Sequence, residues 1–346
     1  MEVNVKKILL LIVIFTVIFS SCFSIELEAF LKKIYEQYPD AVAAELGWQS
    51  AFDTYNATLL KADSKLSIIE ADLDRLKAYK TYMDEKWDVL EEVLNILFEL
   101  EKTDIESGIA DIENRMYSED LENKKKASSY GGVSDMEVSL AEIEADLSQS
   151  KLDYYKNYKS EMGSHMRDVL FISELPELQF TDIELRSLTV EEISDIKGKN
   201  IERQIESLTK QVEETKYKLA QTGMTTSYLA DVNKRAAKIH ELREQSVEYS
   251  VIYEINIAHE KVKLAIAQYN AALAKKELYM DRLVKLQEAQ KEGYITSYDY
   301  YQGVLTIYEY DRMAWQAKHD LFLSLLEYLK ARGEDPVEGL LPYFEK

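Results

Sequence analysis

Two long stretches of this chain, residues 48–107 and 224–292, contain neither glycine nor proline. These two residue types are the ones that most often weaken or end a helix. Since an α-helix rises about 1.5 Å per residue, unbroken helices of this order would reach roughly 90 to 100 Å, which is far longer than a helix of an ordinary globular domain. The two stretches therefore predict very long helices.

The apolar residues of both stretches recur with alternating spacings of four and three. Lys80 is the misfit in the first stretch and Lys276 is the misfit in the second. A sustained period of 3.5 residues is typical of coiled-coil packing. In the second stretch an additional apolar stripe flanks the seam, which favours a bundle or barrel of helices over a two-stranded rod. The seam comprises Ile255, Ala258, Val262, Ala265, Tyr269, Ala272, Tyr279, Leu283 and Leu286, and the flanking stripe comprises Ile252, Ile266, Leu273 and Met280.

The charge of the chain argues against nucleic acid as a partner. Acidic residues outnumber basic ones by 63 to 42, whereas phosphate binding requires clustered lysine and arginine. The four histidines stand on separate helical stretches, and the sequence contains no HExxH, Walker or GxSxG motif. We therefore expect no enzyme activity, no catalytic residues, no cofactor and no metal site.

The N-terminus has the pattern of a secretory signal. Lys6 and Lys7 precede an apolar run over residues 8–19, and small residues follow, so we predict a signal peptide over residues 1–23 and an exported protein. The only cysteine, Cys22, stands in a sequence that resembles a bacterial lipoprotein box. Two outcomes are open: lipidation of Cys22, or ordinary signal-peptidase cleavage after Ser24 or nearby. No second apolar run approaches the ~20 residues of a transmembrane helix.

The chain contains an internal repeat. The segment "YGGVSDMEV" from Tyr130 matches "EGYITSYDY" from Glu292 when Gly131 is aligned with Gly293, and this alignment also pairs Glu137 with Asp299. Two further matches have nearly the same offset: "SIELEAF" with "SLTVEEI", and "QYPDAV" with "NIERQI". A constant offset indicates a duplicated unit.

The repeat divides the mature chain. We expect a first helical repeat over residues 24–172, a linker over 173–187, a second repeat over 188–333 and a C-terminal tail over 334–346. Pro176 and the alternating apolar residues around it suggest that the linker is extended. The predicted fold class is all-α, with very long antiparallel coiled-coil hairpins in two tandem repeats.

These motifs, in this order, resemble the TolC family of outer-membrane efflux proteins. Each repeat of that family opens with an "L-x-L-E-x-[AL]" helix and an "N-x-P-[DE]" turn, and carries a "Y-x-x-G-x-[IV]-[ST]-x-x-[DE]" element late in its length. The resemblance implies a homotrimer whose helices form a periplasmic tunnel. It also implies a periplasmic adaptor protein and an inner-membrane transporter as partners, and a location in the periplasm and cell outer membrane.

The resemblance also assigns roles to the glycine elements. By this comparison Gly131, Gly132 and Gly293 form the turns at the hairpin tips, and Glu137 and Asp299 fall on the acids of the aperture. Acids that project into a three-fold constriction would repel one another and favour hydrated cations. An acid just after a turn is also an ordinary first-turn residue of a helix, where the macrodipole favours it. Both interpretations of the two acids are open at this point.

The sequence departs from the family where that family inserts two transmembrane strands in each repeat. In the second repeat only residues 221–228 stand at this place, and the repeat offset aligns them with residues 61–65 of the first repeat. That length suits a turn between two helices, which is the interpretation we prefer. The alternative is a continuous helix in the first repeat, because its heptad pattern runs through this site. The strands are therefore expected to be missing, with attachment to the outer membrane by a lipid anchor or by association.

Two functions follow as hypotheses. The first is a TolC-like efflux component, an oligomeric helical conduit that works with the transporter and adaptor. The second is a structural coiled-coil protein of the envelope, a spacer or scaffold without transport.

Overall fold

The computed structural model describes residues 27–61, 64–170, 175–181, 183, 185, 188–223 and 227–344. The predicted signal peptide and Cys22 lie outside these residues. The described residues form nine α-helices and one 3₁₀ turn: α1 (Leu27–Gln37), α2 (Pro39–Leu60), α3 (Lys65–Ser129), α4 (Asp135–Leu170), α5 (Val190–Lys199), α6 (Ile201–Thr222), α7 (Ser227–Lys291), α8 (Ser297–Arg332), α9 (Pro336–Leu340) and the turn Leu341–Tyr343.

The predicted all-α fold with very long helices is confirmed. Helices α3 and α7 contain 65 residues each, and α4 and α8 contain 36 residues each. Such lengths arise because the heptad pattern supplies an apolar seam over many turns. These four helices contain no proline, and single glycines at Gly108, Gly163 and Gly303 do not end them. Equal lengths of the corresponding helices in the two halves are what a duplicated unit produces.

The first repeat reverses direction between α2 and α3. Helix α2 ends at Leu60 and α3 begins at Lys65, so the chain is not one continuous helix there. The Trp48 ring of α2 stacks on Tyr82 of α3 with centroids 5.4 Å apart, and the Arg75 guanidinium lies 5.2 Å from the ring centre of Tyr55. Tyr55 and Arg75 are nearer to the connection in sequence, and Trp48 and Tyr82 are farther from it on both sides. This order of contacts shows that α2 and α3 are antiparallel.

The second repeat has the same arrangement in α6 and α7. The Glu206 carboxylate of α6 lies 2.6 Å from Nδ1 of His240, and Arg203 pairs with Glu244 of α7 at 3.6 Å. The repeated "QYPDAV" and "NIERQI" motifs occupy matching junctions, between α1 and α2 and between α5 and α6. In the second of these, the Asn200 side chain caps α6 by accepting a hydrogen bond from the Arg203 N–H.

The chain packs as two compact units. The first contains the described residues of Met1–Val93, Val169–Val262 and Ser324–Lys346. Phe30, Leu31 and Ile34 of α1 are fully buried in this unit. Contacts that hold its C-terminal segment include an ion pair of 2.6 Å between Lys86 and Asp335 and the stacked rings of Phe180 and Phe344.

The second unit contains Leu94–Asp168 and Lys263–Leu323, and it holds the turns that the sequence singled out.

Candidate functional site

The two glycine turns of the second unit have the same backbone geometry. Gly131 follows α3 with φ 74° and Gly293 follows α7 with φ 78°. In each turn the next residue donates its N–H across the helix end, from Gly132 to the Ala127 carbonyl and from Tyr294 to the Ala289 carbonyl. This pattern is the Schellman motif, in which a left-handed residue, usually glycine, satisfies the last carbonyls of a helix. The positions that the repeat aligns are thus structurally equivalent.

The acid that follows each turn caps the next helix. The Glu137 carboxylate accepts from the Ser134 N–H at 2.9 Å and from its hydroxyl at 2.8 Å, while the Ser134 hydroxyl oxygen accepts from the Glu137 N–H. Thr296 and Asp299 exchange the same hydrogen bonds at the start of α8. Both pairs are reciprocal capping boxes. The bonds from Ser134 also hold the pKa of Glu137 below its usual value.

This geometry bears on the two interpretations of the acids. Glu137 and Asp299 are both exposed, and both satisfy backbone donors at the beginning of a helix. Within the single chain, both acids therefore act as helix-capping residues. A capping carboxylate still presents its negative charge to solvent, so the aperture role stays a prediction that concerns several copies together.

The four long helices of the second unit form a layer in the order α4, α3, α8, α7. Asn114 of α3 donates to Gln149 of α4 at 2.9 Å. The Trp315 indole N–H of α8 donates to the Phe98 carbonyl of α3 at 2.9 Å. On the other side of α8, the Tyr310 ring stacks on Tyr279 of α7. These contacts place α3 and α8 in the middle of the layer and α4 and α7 at its two edges.

A buried cation lies at the contact between α3 and α8. Lys318 is only 8% exposed, and its ammonium donates to both Glu101 carboxylate oxygens at 2.9 and 2.7 Å. One residue on, Nε2 of His319 lies 2.9 Å from the Asn95 side-chain oxygen. The heptad pattern alone did not predict this cluster. A signal was present, because Lys318 follows the apolar residues Val304, Ile307 and Ala314 at seam spacing.

The lysine misfits in the two heptads also have carboxylate partners. Lys276 of α7 pairs with Asp311 of α8 at 3.1 Å, and Lys80 of α3 pairs with Asp84 in its own helix at 2.7 Å. A charged seam residue with a partner on the facing helix specifies register, since a shift of one turn would separate the two charges.

Both edge helices of the layer carry apolar side chains that nothing in the second unit covers. On α4 these residues follow heptad spacing, and on α7 they accompany the flanking stripe that the sequence predicted. The exposed residues are Met136, Leu140, Ile143, Leu147 and Tyr154 on α4, and Leu264, Leu278, Met280 and Val284 on α7.

The described residues contain no group of three or more His, Cys, Asp or Glu side chains placed to hold a metal ion. Within the same ranges, no helix combines the length and apolarity needed to cross a membrane.

Solved structures with a similar fold are bacterial membrane proteins. The outer membrane protein VceC of Vibrio cholerae has 10% sequence identity and a TM-score of 0.59, with 88% of this chain and 95% of VceC covered. A membrane protein of Pseudomonas aeruginosa has 7% identity and a TM-score of 0.61, with 90% and 93% covered. The MtrE outer membrane channel of Neisseria gonorrhoeae, in its open state, has 11% identity and a TM-score of 0.52, with 89% of each chain covered.

No protein-family model and no curated protein matches the sequence. The likeness in three dimensions confirms the TolC-like helical fold that the repeated motifs predicted.

Proposed function

We propose that this chain is a subunit of an oligomeric helical conduit in the cell envelope, a TolC-like efflux component. It is a non-enzymatic protein of the periplasm and outer membrane, and it acts with an inner-membrane transporter and a periplasmic adaptor. Support comes from the fold, which is shared with the outer membrane proteins VceC and MtrE over most of each chain.

The uncovered edges of the four-helix layer carry this proposal. The outer faces of α4 and α7 leave large apolar side chains in water, among them Ile143, which is 64% exposed, and Leu278, which is 70% exposed. A second copy covers them if α4 of one subunit packs against α7 of the next. Such a head-to-tail contact generates a closed ring when its rotation closes. Three copies are expected from the TolC resemblance.

The tip acids supply the chemistry of the aperture in this proposal. In a ring of three, Glu137 and Asp299 bring six carboxylates around one opening, which disfavours anions and favours hydrated cations. The lowered pKa of Glu137 keeps its carboxylate ionised at the pH of the envelope.

The oligomeric state tests the edge argument directly. The double variant Leu140→Glu, Leu147→Glu places charges in the α4 stripe, whereas Met313→Glu changes an exposed residue of α8, a central helix of the layer. We expect a trimer by sedimentation and native mass measurement for the wild type and for Met313→Glu, and a monomer for the double variant. A wild-type chain that stays monomeric at all concentrations overturns the conduit.

Transport is tested in a deletion strain. Loss of drug, solvent or protein export, restored by the wild-type gene but not by the double variant, is the expected result. Unchanged export in the deletion strain would instead support the envelope scaffold.

The scaffold is the second candidate, and the capping boxes favour it because they give both tip acids a structural task. The two candidates separate in the variant Glu137→Gln, Asp299→Asn, since the amide oxygens still cap the helices while both charges are removed. An aperture role predicts altered export with unchanged stability. A purely structural role predicts unchanged export and unchanged stability in this variant. It predicts a loss of stability only in the double variant Glu137→Ala, Asp299→Ala, which removes the capping oxygens.

A further inference from the structure

Large apolar side chains are exposed where the helix pairs α2/α3 and α6/α7 turn, in the first unit. Leu60, the last residue of α2, is 87% exposed, and Tyr228, in the first turn of α7, is 69% exposed. Leu59, Leu219 and Leu229 beside them are also exposed. We call these five residues the apolar hairpin ends. Leu60 alone leaves most of a leucine side chain in water, which has a substantial free-energy cost.

The two hairpin ends lie at the same level of the first unit. Lys216 of α6 pairs with Glu70 of α3 at 3.4 Å, and each of these residues stands within about two turns of the end of its helix. The ion pair therefore sets the α2/α3 connection beside the α6/α7 connection. The five exposed apolar side chains therefore stand at the same end of the first unit.

Basic residues accompany the apolar hairpin ends. Lys61 directly follows the last residue of α2, Lys65 is the first residue of α3, and Lys218 lies about one turn before the end of α6. Lys61, Lys65 and Lys218 are exposed there, and none of them forms an ion pair with another described residue. The outermost turns thus carry cations that are free to meet an anionic surface.

The chemistry of the hairpin ends fits the surface of an anionic membrane. Leucine and tyrosine side chains enter the boundary between headgroups and acyl chains, while the lysine stems extend toward the phosphates. Each lysine near an anionic leaflet strengthens attachment about fivefold. A protein partner fits less well, because the apolar side chains stand at helix ends and not along a groove.

We propose that the paired hairpin ends dock on a phospholipid surface that contains anionic lipid, with Leu60, Leu219 and Tyr228 inserted and Lys61, Lys65 and Lys218 on the phosphates. This docking extends the proposed function, because it states how the helical conduit meets the membrane. It requires neither a lipid on Cys22 nor a membrane-spanning segment.

The test uses the mature chain from Ser24, which carries no Cys22, and flotation with vesicles. Vesicles of phosphatidylcholine with about 30% phosphatidylglycerol, whose anionic lipid gives a negative surface potential, are compared with vesicles of pure phosphatidylcholine. We expect binding to the anionic vesicles that weakens in high salt. The triple variant Lys61→Gln, Lys65→Gln, Lys218→Gln should bind on the order of 100-fold more weakly.

Matched controls separate docking from general changes in charge or apolarity. Leu60→Ser and Leu219→Ser should each weaken binding about tenfold. Met313→Ser, an exposed apolar residue on α8, and Lys156→Gln, an exposed lysine on α4, should leave it unchanged. Circular dichroism confirms that all variants are folded.

The mass of the oligomer is measured on the same samples, so that a failure of the membrane docking can be told apart from a failure of the oligomeric conduit. A trimer that binds no anionic vesicle overturns the membrane docking and leaves the conduit standing. A monomer that binds anionic vesicles overturns the conduit alone. Binding to vesicles made from whole outer membranes, without binding to the pure lipids, would indicate a protein receptor and overturn the lipid proposal.

Discussion

The turn at Gly293 permits a sharp test, because the same chemical change has opposite effects at two glycines of this chain. At Gly293 φ is 78°, and a Cβ added there would meet no atom within 4 Å. The effect of Gly293→Ala is therefore backbone strain alone, which costs roughly 1 kcal/mol because an L-residue is disfavoured in the left-handed region. Gly47 lies inside α2 and also has nothing within 4 Å of the added Cβ. There alanine should stabilise the helix by about 0.5 to 1 kcal/mol.

Hydrogen exchange of backbone amides, followed by mass spectrometry, measures this difference locally. A cost of about 1 kcal/mol raises the population of the opened turn about fivefold, so exchange in a peptide spanning residues 289–299 should accelerate by that factor in Gly293→Ala. Gly47→Ala should leave this peptide unchanged and slow exchange within α2. Gly131→Ala, at φ 74°, should reproduce the Gly293 effect at the first turn. Unchanged or slower exchange in Gly293→Ala would refute the left-handed turn and, with it, the structural equivalence of the two repeats.

Two further predictions concern buried and half-buried ion pairs. Glu101→Gln should destabilise the protein by about 1 to 3 kcal/mol in urea unfolding, because it leaves the buried Lys318 ammonium without its carboxylate at the contact between α3 and α8. Glu327→Gln, which breaks an exposed pair with Lys261, should cost less than about 1 kcal/mol, and equal losses would contradict the burial argument. Burial opposes ionisation of Asp335, but the ion pair with Lys86 outweighs it and holds the pKa of Asp335 below its ordinary 3.8. Its stabilising effect should be complete above that pH and disappear as the pH falls through the lowered value, an acid dependence of unfolding that Asp335→Asn should remove.

Helix positions and turns were largely predictable from the sequence because their causes are local. The absence of glycine and proline, together with the 4-3 spacing of apolar residues, specifies a long helix without reference to the rest of the chain. The repeat then aligned Gly131 with Gly293, and both adopt positive φ. Local pattern was ambiguous between Leu60 and Lys65, where the heptad continues although the helix does not. The chain must reverse there because α2 packs antiparallel against α3, as the contact between Trp48 and Tyr82 shows.

The roles of individual charged residues were less predictable. Lys276 was visible only as a misfit in a heptad, because its partner Asp311 lies on another helix. Lys318 was not recognised at all, since its burial depends on Glu101, 217 positions earlier in the chain. The acids after the turns were predicted as aperture residues or as helix-terminal residues. Within one chain, the hydrogen bond that Glu137 accepts from the Ser134 N–H makes it a helix-terminal capping residue.

The sequence by itself determined that the helices are very long, where their apolar seams lie and that the chain turns at Gly131 and Gly293, because periodicity and glycine act within a few residues. Only the tertiary structure decided the neighbours of each helix. The order α4, α3, α8, α7 depends on contacts such as that between Trp315 and the Phe98 carbonyl, whose partners are far apart in sequence. That order makes α4 and α7 the edges of the layer, and it therefore decides which apolar stripes are covered within the chain and which are left for another copy.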